Sequence, residues 1–346
     1  MMEEKQNIRG LGEEKLMDQL TKDGQKSFRA KQIIQWLWKN GVSKFEEMTN
    51  LSKELRESLE EKYFIPRIQV ALMQKSRDNT IKCAFSLYDN NKVEGVLIPS
   101  KDRVTACISS QVGCSLSCKF CATGFMDRTR NLESYEIYDQ VQLLNKISIE
   151  EYGKEVTNIV FMGMGEPLLN YKNVMEGIEW INSENGLHIS MKRITLSTAG
   201  IVKIIYKMAD ANVKFNMALS LHAATNEKRN AIMPINETNS LEELAEALEY
   251  FNTQTNTRPT LEYCVIENVN DGLDDAKELI KFSKLFPSKV NLIEYNSIDL
   301  SSFASPGQNA IEAFASKLEA NNVIVNIRRS RGKDIDAACG QLANKA

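Results

Sequence analysis

The sequence predicts an α/β protein whose main domain is a parallel sheet covered by helices. Between residues 104 and 328, apolar runs of strand length alternate with amphipathic runs of helix length. Strands that alternate with helices form parallel sheets, and right-handed crossovers curl such a sheet into a complete or a partial barrel. Two shorter regions precede this domain. One has a helical period and the other has the two-residue period of antiparallel strands.

The first region, residues 1–66, is predicted to be a small helical domain. Apolar side chains recur at helical spacing in three segments that begin at Lys15, Ser27 and Leu51. Phe28, Ile33 or Ile34, and Leu37 share one face of the middle segment. Trp36 and Trp38 are expected in the core rather than stacked on bases. Five basic residues surround that segment: Lys26, Arg29, Lys31, Lys39 and Lys44. Their charge fits a solvated helix surface or a module that contacts RNA phosphates, and the sequence leaves both interpretations open.

The second region, residues 67–99, is a predicted antiparallel β extension or linker. Its apolar residues alternate with polar ones, and Asp78-Asn79 and Asp89-Asn90-Asn91 supply the turns. Cys83 lies within a strand and is expected to be a small buried hydrophobe. Glu94 lies in the last strand, where the alternation alone predicts a carboxylate that points to solvent.

The main domain is predicted to span residues 100–334. Its first strand is Val104–Ser110, and six helix–strand pairs follow it. In parallel barrels the chemistry sits at the carboxyl ends of the strands. Polar stretches follow four of those ends: Gly163–Asn170, Leu196–Gly200, Ser220–His222 and Glu294–Asn296. Each fits a turn or a helix cap when taken singly, whereas together they predict a ligand-binding rim.

Three cysteines follow the first strand within eight residues. Cys114, Cys118 and Cys121 have the spacing Cys-x3-Cys-x2-Cys, and Phe120 precedes the last of them. Clustered thiolates bind zinc, copper(I) or iron–sulfur clusters, and a structural zinc site normally has four protein ligands. Three thiolates suit a four-iron cluster with one iron left open to chelate S-adenosylmethionine (SAM). The motif resembles the signature of the radical SAM superfamily; a three-cysteine zinc site and unliganded thiols are the alternatives.

A second cysteine motif lies in the predicted C-terminal tail, residues 335–346. Cys339 stands beside Gly340, close after the basic run Arg328–Lys333. A cysteine in flexible, charged sequence is a candidate nucleophile, because reactivity follows exposure and thiolate fraction. Cys107, seven residues before the three-cysteine motif, is either core or functional on sequence grounds.

The composition places the chain among globular proteins of a reducing compartment. Of its 346 residues, 42% are hydrophobic and 26% charged, and no apolar run has the length of a membrane span. The charged N-terminus lacks a signal core, so we expect a cytoplasmic protein. Seven cysteines, an odd number, favour metal or catalytic use over a disulfide framework. A net charge of −3 means that any RNA-binding surface must be local.

Beyond single motifs, nearly the whole chain resembles the RlmN family of radical SAM methyltransferases. The motifs that carry the resemblance occur in the family's order: Phe28–Trp38, Cys107–Cys114, Gly163–Asn170, Leu196–Gly200, Ser220–His222 and Asp334–Leu342. The sister Cfr family, which methylates C8 of adenosine, shares most of them. Cfr proteins usually have Gly-Glu-Ala where this chain has Gly165-Glu166-Pro167, and this favours RlmN.

The resemblance implies a partial (β/α)6 barrel of the radical SAM type and a role for particular residues. It implies that a 4Fe–4S cluster is held by Cys114, Cys118 and Cys121. It implies that SAM is surrounded by Gly165, Glu166, Ser197, Ser220, Leu221, His222 and Asn296. It implies three catalytic residues: Cys339 as the methyl carrier, Cys107 as the thiol that resolves the protein–RNA adduct through a transient disulfide, and Glu94 as a proton acceptor.

The resemblance also implies substrates and partners. The family methylates C2 of one adenosine in the peptidyl-transferase centre of 23S rRNA and of the adenosine next to the anticodon in tRNA, using two SAM molecules per turnover. A one-electron reductant such as flavodoxin or ferredoxin, and a monomer without membrane contact, are expected. The alternatives are a Cfr-like C8 methyltransferase and a non-catalytic iron–sulfur or zinc protein that binds RNA. Basic residues of the rim loops are candidate phosphate contacts: Arg128, Arg130, Arg328, Arg329, Arg331 and Lys333.

Overall fold

The computed structural model describes residues 5–344, so residues 1–4 of the predicted helical domain and residues 345–346 of the predicted tail lie outside the described part. The first region contains three helices, α1 (Gly12–Lys22), α2 (Phe28–Gln35) and α3 (Lys53–Lys62). Its ends meet in a short parallel pair of strands, β1 (Gln6–Asn7) and β2 (Tyr63–Phe64). The three predicted helices are confirmed. Helix α2 differs in continuing as a π-helical turn, Trp36–Asn40, before the chain reverses at Gly41 with φ 67°.

The aromatic residues of α2 and its π-helical turn divide between core and surface. Trp38 is buried and stacks on Trp180 with ring centroids 4.2 Å apart, which confirms its predicted core position. Trp36 is half-buried, and its Nε1 donates to Asn50 Oδ1 at 2.6 Å. Phe28, in the first turn of the helix, is 47% exposed.

The second region is an antiparallel meander of β3 (Gln69–Lys75), β4 (Ile81–Ser86) and β5 (Lys92–Pro99). The register of β3 against β4 shifts between Val70 and Leu72, where β3 carries a bulge. Strand β5 pairs antiparallel with β6 (Val104–Cys107), the first strand of the main domain. The extension therefore continues the main sheet and is not a separate linker. Cys83 is buried in β4, as predicted.

The main sheet contains seven parallel strands. After β6, a small antiparallel pair, β7 (Gln111–Val112) and β8 (Arg130–Asn131), flanks the three-cysteine loop. The remaining parallel strands are β9 (Asn158–Phe161), β10 (Ile194–Thr198), β11 (Asn216–Ser220), β12 (Thr260–Val265), β13 (Lys289–Glu294) and β14 (Val325–Arg328). The ten strands of the sheet lie in the order β14-β13-β12-β11-β10-β9-β6-β5-β4-β3. Within residues 5–344 the two edge strands do not pair, so the barrel is partial.

Helices connect the parallel strands and cover one side of the sheet. They are α4 (Ser134–Tyr152), α5 (Tyr171–Asn182), α6 (Val202–Asp210), α7 (Asn226–Ile232), α8 (Leu241–Thr255), α9 (Leu273–Ser283) and α10 (Gln308–Glu319). The predicted alternation is confirmed, and the short helix α7 is an addition to it. Successive strands lie side by side in parallel, so all seven carboxyl ends open on the same rim.

A buried group of charges joins the first region to the barrel. Arg9 Nη1 lies 2.7 Å from Asp139 on α4, and the side-chain exposures of the two residues are 0% and 3%. Arg67 also contacts Asp139, at 2.9 Å. The Arg9 guanidinium stands over the Trp38 ring, 4.3 Å from its centroid. Burial lowers the pKa of Arg67 to about 10, so this guanidinium stays charged at neutral pH. Arg9 and Arg67 share the Asp139 carboxylate.

In the described part of the chain, none of the helices combines the length and the apolar character that crossing a bilayer would require.

Candidate active site

A cavity of about 540 Å³ opens at the carboxyl ends of the parallel strands. The three-cysteine loop, the strand ends and the C-terminal tail surround it. Ten of the predicted site residues line this cavity: Cys107, Cys114, Cys118, Cys121, Gly165, Glu166, Ser197, Ser220, His222 and Cys339. Three predicted site residues do not line it: Glu94, Leu221 and Asn296. The structure thus brings together residues that the sequence separates by more than two hundred positions.

The three-cysteine loop is held in a tight fold by its glycines. Gly113 has φ 74°, and a Cβ at that position would collide with the Asp127 carbonyl group. A Cβ at Gly124 would lie 2.6 Å from the Cys118 carbonyl oxygen. The three thiols are half-exposed at the cavity wall. Burial among protein atoms raises the pKa of the Cys114 thiol to about 11 and that of Cys121 above its usual range.

Glu166 links two strand ends. It follows β9 and is 3% exposed. Its Oε1 accepts from the Leu168 N–H at 2.9 Å, and its Oε2 accepts from the Ala199 N–H, after β10, at 2.7 Å. Burial raises the pKa of Glu166, and these backbone donors oppose that shift. Because each carboxylate oxygen can accept more than one hydrogen bond, the group keeps capacity for a ligand's ammonium.

Two serines and a histidine continue the wall. Ser197 and Ser220 lie on neighbouring strands with their Oγ atoms 3.4 Å apart. His222 Nδ1 accepts from the Cys264 N–H at 2.9 Å, which leaves the ring proton on Nε2. Burial lowers the pKa of His222 to about 3, so the ring is neutral. Its face meets the edge of Phe120 from the three-cysteine motif, at a centroid distance of 4.5 Å.

The tail places Cys339 in the same cavity. Gly340 O accepts from the Ala122 N–H at 2.7 Å, and Leu342 O accepts from Thr123 Oγ1 at 2.6 Å, so the tail lies along the three-cysteine loop. Burial raises the pKa of Cys339 to about 11, although Arg328 favours the thiolate. Cys339 is an exposed residue at the cavity, and its role as a nucleophile stays a prediction.

Cys107, at the end of β6, shares this cavity with Cys339. Burial raises the pKa of Cys107 to about 12, and the neighbouring Cys339 contributes to that shift. All seven cysteines are free thiols, so the two form no disulfide in this structure. Cys107 is buried in the apolar core and also lines the cavity, and its catalytic role stays a prediction.

The three predicted residues outside the cavity have other contacts. Leu221 is buried, and its carbonyl oxygen accepts from Arg229. Asn296 donates from Nδ2 to Cys339 O at 3.1 Å, so it touches the tail. Glu94 has no exposed surface, contrary to the alternation, because β4 and the tail cover it.

This chain is similar to known proteins over nearly its whole length. A model described as the N-terminal domain of the ribosomal RNA large subunit methyltransferase matches residues 6–65, and the radical SAM superfamily model matches residues 108–282. A Cytophaga hutchinsonii protein named "Probable dual-specificity RNA methyltransferase RlmN" is 57% identical over 99% of this chain and 93% of its own length. A Christiangramia forsetii protein of the same name is 52% identical over 99% and 97%. The chain belongs to the RlmN family.

A solved structure supports the fold that the RlmN family assignment implies. A radical SAM methyltransferase from Sphaerobacter thermophilus superposes with a TM-score of 0.91 at 36% identity, covering 97% of this chain and 99% of that one. The predicted partial radical SAM barrel is thereby confirmed.

The cofactors of this RlmN-family chain are a 4Fe–4S cluster and SAM, as in the radical SAM superfamily. The donor set fits them, because one loop presents three soft thiols to a cavity that also holds a buried carboxylate and paired hydroxyls. Among residues 5–344, no three His, Cys, Asp or Glu side chains already form a cage for a metal ion. The fit therefore rests on the kind and placement of the donors.

Most of the candidate phosphate contacts on the rim already have carboxylate partners. Arg328 pairs with Glu262 at 3.1 Å, and Arg329 pairs with Glu294 at 2.8 Å. Three more candidates are paired as well: Arg130, Arg331 and Lys333. Arg128 instead meets an amide, Asn131 Oδ1, at 3.3 Å, and it forms no salt bridge with the residues that the structure describes. Among the six candidates, Arg128 is therefore the one whose positive charge is least compensated by carboxylates of the protein and most available to RNA phosphates.

Arg229 lies on helix α7, which the sequence pattern did not predict. It is fully buried and donates to three backbone carbonyls at the strand ends: Leu221 O at 3.1 Å, Ala199 O at 2.6 Å and Ser220 O at 3.1 Å. It also donates to Asn236 Oδ1 at 2.7 Å. Burial lowers its pKa to about 10, so it stays cationic at neutral pH. Arg229 therefore positions the cavity wall in this RlmN-family protein.

Replacing Arg229 by Met should both destabilise the protein and weaken SAM binding. The variant leaves buried carbonyls without donors, and each such group costs about 1–3 kcal/mol. We expect the free energy of unfolding, measured by urea titration, to fall by about 2 kcal/mol or more. Arg229→Lys, which keeps a charged donor, should lose less. Wild-type stability and SAM affinity in the Met variant would contradict the positioning role.

Proposed function

We propose that this protein is a dual-specificity RNA methyltransferase that methylates C2 of an adenosine in 23S rRNA and in tRNA. The observation that carries the proposal is the shared cavity, in which Cys107 and Cys339 face the three-cysteine loop beside the rim of parallel strands. The names of the relatives supply the dual RNA substrate. The Gly165-Glu166-Pro167 sequence favours C2 over C8.

The chemistry of the substrate explains why two cysteines are needed. C2 of adenine is electron-poor and is no nucleophile, so a direct displacement from a sulfonium does not work there. When bound, the cluster supplies the electron that starts radical chemistry on SAM. The protein itself must therefore hold a methyl group next to the site of that chemistry, and Cys339 is placed to do so.

The two cysteines divide the work. Cys339 Sγ gives up its proton and takes a methyl group from one SAM, whose sulfonium leaves as a neutral thioether. The bound cluster and a second SAM would supply the chemistry that removes one hydrogen atom from this methyl group, and the carbon then bonds to C2. The adduct gives up one electron, which the cluster would take back, and the C2 proton. Cys107 Sγ gives up its proton and attacks Cys339 Sγ, so the Cys339 S–C bond breaks and its electron pair stays with the departing enamine carbon. That carbon takes up a proton to become the methyl group of the aromatic product. A Cys107–Cys339 disulfide remains, and a two-electron reductant must return both thiols.

The remaining predicted residues fall into two groups. Five line the cavity and are proposed to contact SAM: Gly165, Glu166, Ser197, Ser220 and His222. Glu166 would accept from the ammonium group, and the serine hydroxyls suit a ribose. Leu221 and Asn296 would act through Arg229 and the tail. The role of Glu94 as proton acceptor stays a prediction.

RNA access is proposed to involve the rim and the first region. The adenosine must leave its stack, which costs a few kcal/mol and favours loops over duplex. Arg128 and the basic residues around α2 would contact phosphates, so binding should weaken as salt rises. We also propose domain boundaries at residues 66, 99 and 334. The protein is further proposed to be a cytoplasmic monomer that receives electrons from a flavodoxin or ferredoxin.

One experiment tests the function directly. The protein is reconstituted anaerobically with iron and sulfide, then incubated with SAM, dithionite and unmodified 23S rRNA or tRNA. Mass spectrometry of the digested RNA should show 2-methyladenosine, together with deoxyadenosine in solution. An 8-methyladenosine product would move the protein to the Cfr chemistry. Stoichiometric zinc with neither product would favour the non-catalytic RNA-binding alternative.

A further inference from the structure

A buried ion pair lies in the antiparallel part of the sheet, outside the cavity. Lys82 on β4 and Glu94 on β5 are diagonal neighbours, with Nζ 3.3 Å from Oε1 and side-chain exposures of 5% and 0%. Glu94 Oε1 receives no well-aligned hydrogen bond. Replacing a buried ion pair by apolar residues of similar volume is often neutral or stabilising. Stability alone therefore does not account for this pair.

The contacts of this pair lie on both sides of the carrier cysteine. Lys82 Nζ donates to Asp336 O at 3.5 Å, three residues before Cys339. Glu94 Oε2 accepts from the Ala343 N–H at 2.9 Å and from the Asn344 N–H at 3.1 Å, after Cys339. One buried pair therefore holds the chain that enters the site and the chain that leaves it.

These contacts complement those on the other side of the tail. Gly340 O and Leu342 O accept from the three-cysteine loop, so that loop holds one side of the segment 336–344. The Lys82–Glu94 pair holds the opposite side to the sheet. A carboxylate that binds two consecutive backbone N–H groups is a strong, charge-assisted anchor. Glu94 also lies outside the cavity walls, so its contacts suit an anchor better than direct contact with the substrate base.

We propose that Glu94 and Lys82 are positioning residues that fix Cys339 in the cavity by anchoring the tail on both sides of it. The proposal rests on the proposed function for the role of Cys339. The anchoring itself requires neither SAM nor RNA, so it can be tested separately.

The first test is hydrogen exchange of the full-length, cluster-loaded protein without SAM or RNA. In Glu94→Ala the amides of residues 340–344 should exchange at least about tenfold faster, the factor for one lost charge-assisted hydrogen bond. The rate at which iodoacetamide alkylates Cys339 in this variant should also differ from the rate in the wild type. Glu94→Gln keeps an oxygen acceptor but loses the charge and the counterion of Lys82, so its exchange should lie between those of the wild type and Glu94→Ala. Unchanged exchange in Glu94→Ala would overturn the proposal.

A second pair of variants leaves the ion pair intact. Ala343→Pro removes one of the two anchored N–H groups, and Ala343→Gly is the matched control that keeps it. With SAM added, methyl loading of Cys339, read from the mass of the tail peptide, should fall at least about tenfold in Ala343→Pro and in Glu94→Ala relative to Ala343→Gly. Equal loading in the Pro and Gly variants would overturn the anchor.

The same measurements separate the anchor from a proton acceptor. If Glu94 acts only as a base, both Glu94→Ala and Glu94→Gln load Cys339 normally, keep the tail protected and accumulate a protein–RNA adduct. That pattern overturns the proposal. If the proposed methyltransferase function fails, Cys339 stays unmethylated in every protein, while hydrogen exchange still reports on the anchor.

Discussion

Replacing Cys339 by Ala is expected to reduce RNA methylation to background, whereas replacing Cys107 by Ala is expected to stop the reaction one step later. Under the proposed function, Cys339→Ala removes the sulfur that would receive the methyl group, so neither a methylated tail peptide nor methylated RNA should form. Cys107→Ala keeps that sulfur and removes the thiol proposed to attack it, so a covalent protein–RNA adduct should accumulate. Denaturing gels and mass spectrometry of the tail peptide distinguish the two outcomes.

The matched control for both variants is Cys83→Ala. Cys83 is buried in β4 and does not line the cavity, so its loss should leave the yield of methylated RNA near that of the wild type. Iron content is measured for each variant, because loss of the cluster would mimic loss of the carrier. Methylation by Cys339→Ala at the rate of the control would rule out the covalent route.

Replacing Asp139 by Ala is expected to have the largest effect on stability. Asp139 is the shared counterion of Arg9 and Arg67, and Arg9 has no side-chain exposure. Removing one partner of a buried pair costs about 3–5 kcal/mol, because a charge remains in a site that water does not reach. The loss should appear in urea titration monitored by the fluorescence of Trp38 and Trp180, which lie at this junction.

Two controls calibrate that result. Asp274→Ala removes an exposed partner of Lys277, with side-chain exposures of 90% and 60%, and should leave the free energy of unfolding close to that of the wild type. Asp139→Asn keeps hydrogen-bond acceptors and should lie between the two. A loss below about 1 kcal/mol in Asp139→Ala would show that the first region is held to the barrel mainly by apolar contacts.

Much of the fold could be predicted because its patterns are local. The alternation of strands and helices fixes the parallel sheet, and the turn residues Asp78-Asn79 mark the first hairpin of the extension. The rim rule then placed Glu166, Ser197 and Ser220 in one cavity, because parallel strands share a carboxyl edge. The three-cysteine loop could be recognised for a similar reason, since all three thiols come from one short segment of the sequence.

The features that could not be predicted depend on contacts between distant segments. The alternation pointed Glu94 to solvent, yet the tail, almost two hundred and fifty residues later, covers it. Arg229 escaped notice because a lone arginine in a short polar helix usually lies at the surface.

The bulge between Val70 and Leu72 has a consequence for the behaviour of the protein in concentrated solution. Strand β3 is the outer strand of the sheet, and Val70, Leu72 and Met73 are 37%, 42% and 44% exposed. A long, flat, apolar outer strand is a template on which another chain adds by backbone hydrogen bonding. The bulge bends and twists this strand and interrupts the regular spacing of its backbone hydrogen-bonding groups. Association of copies into fibres should therefore be disfavoured.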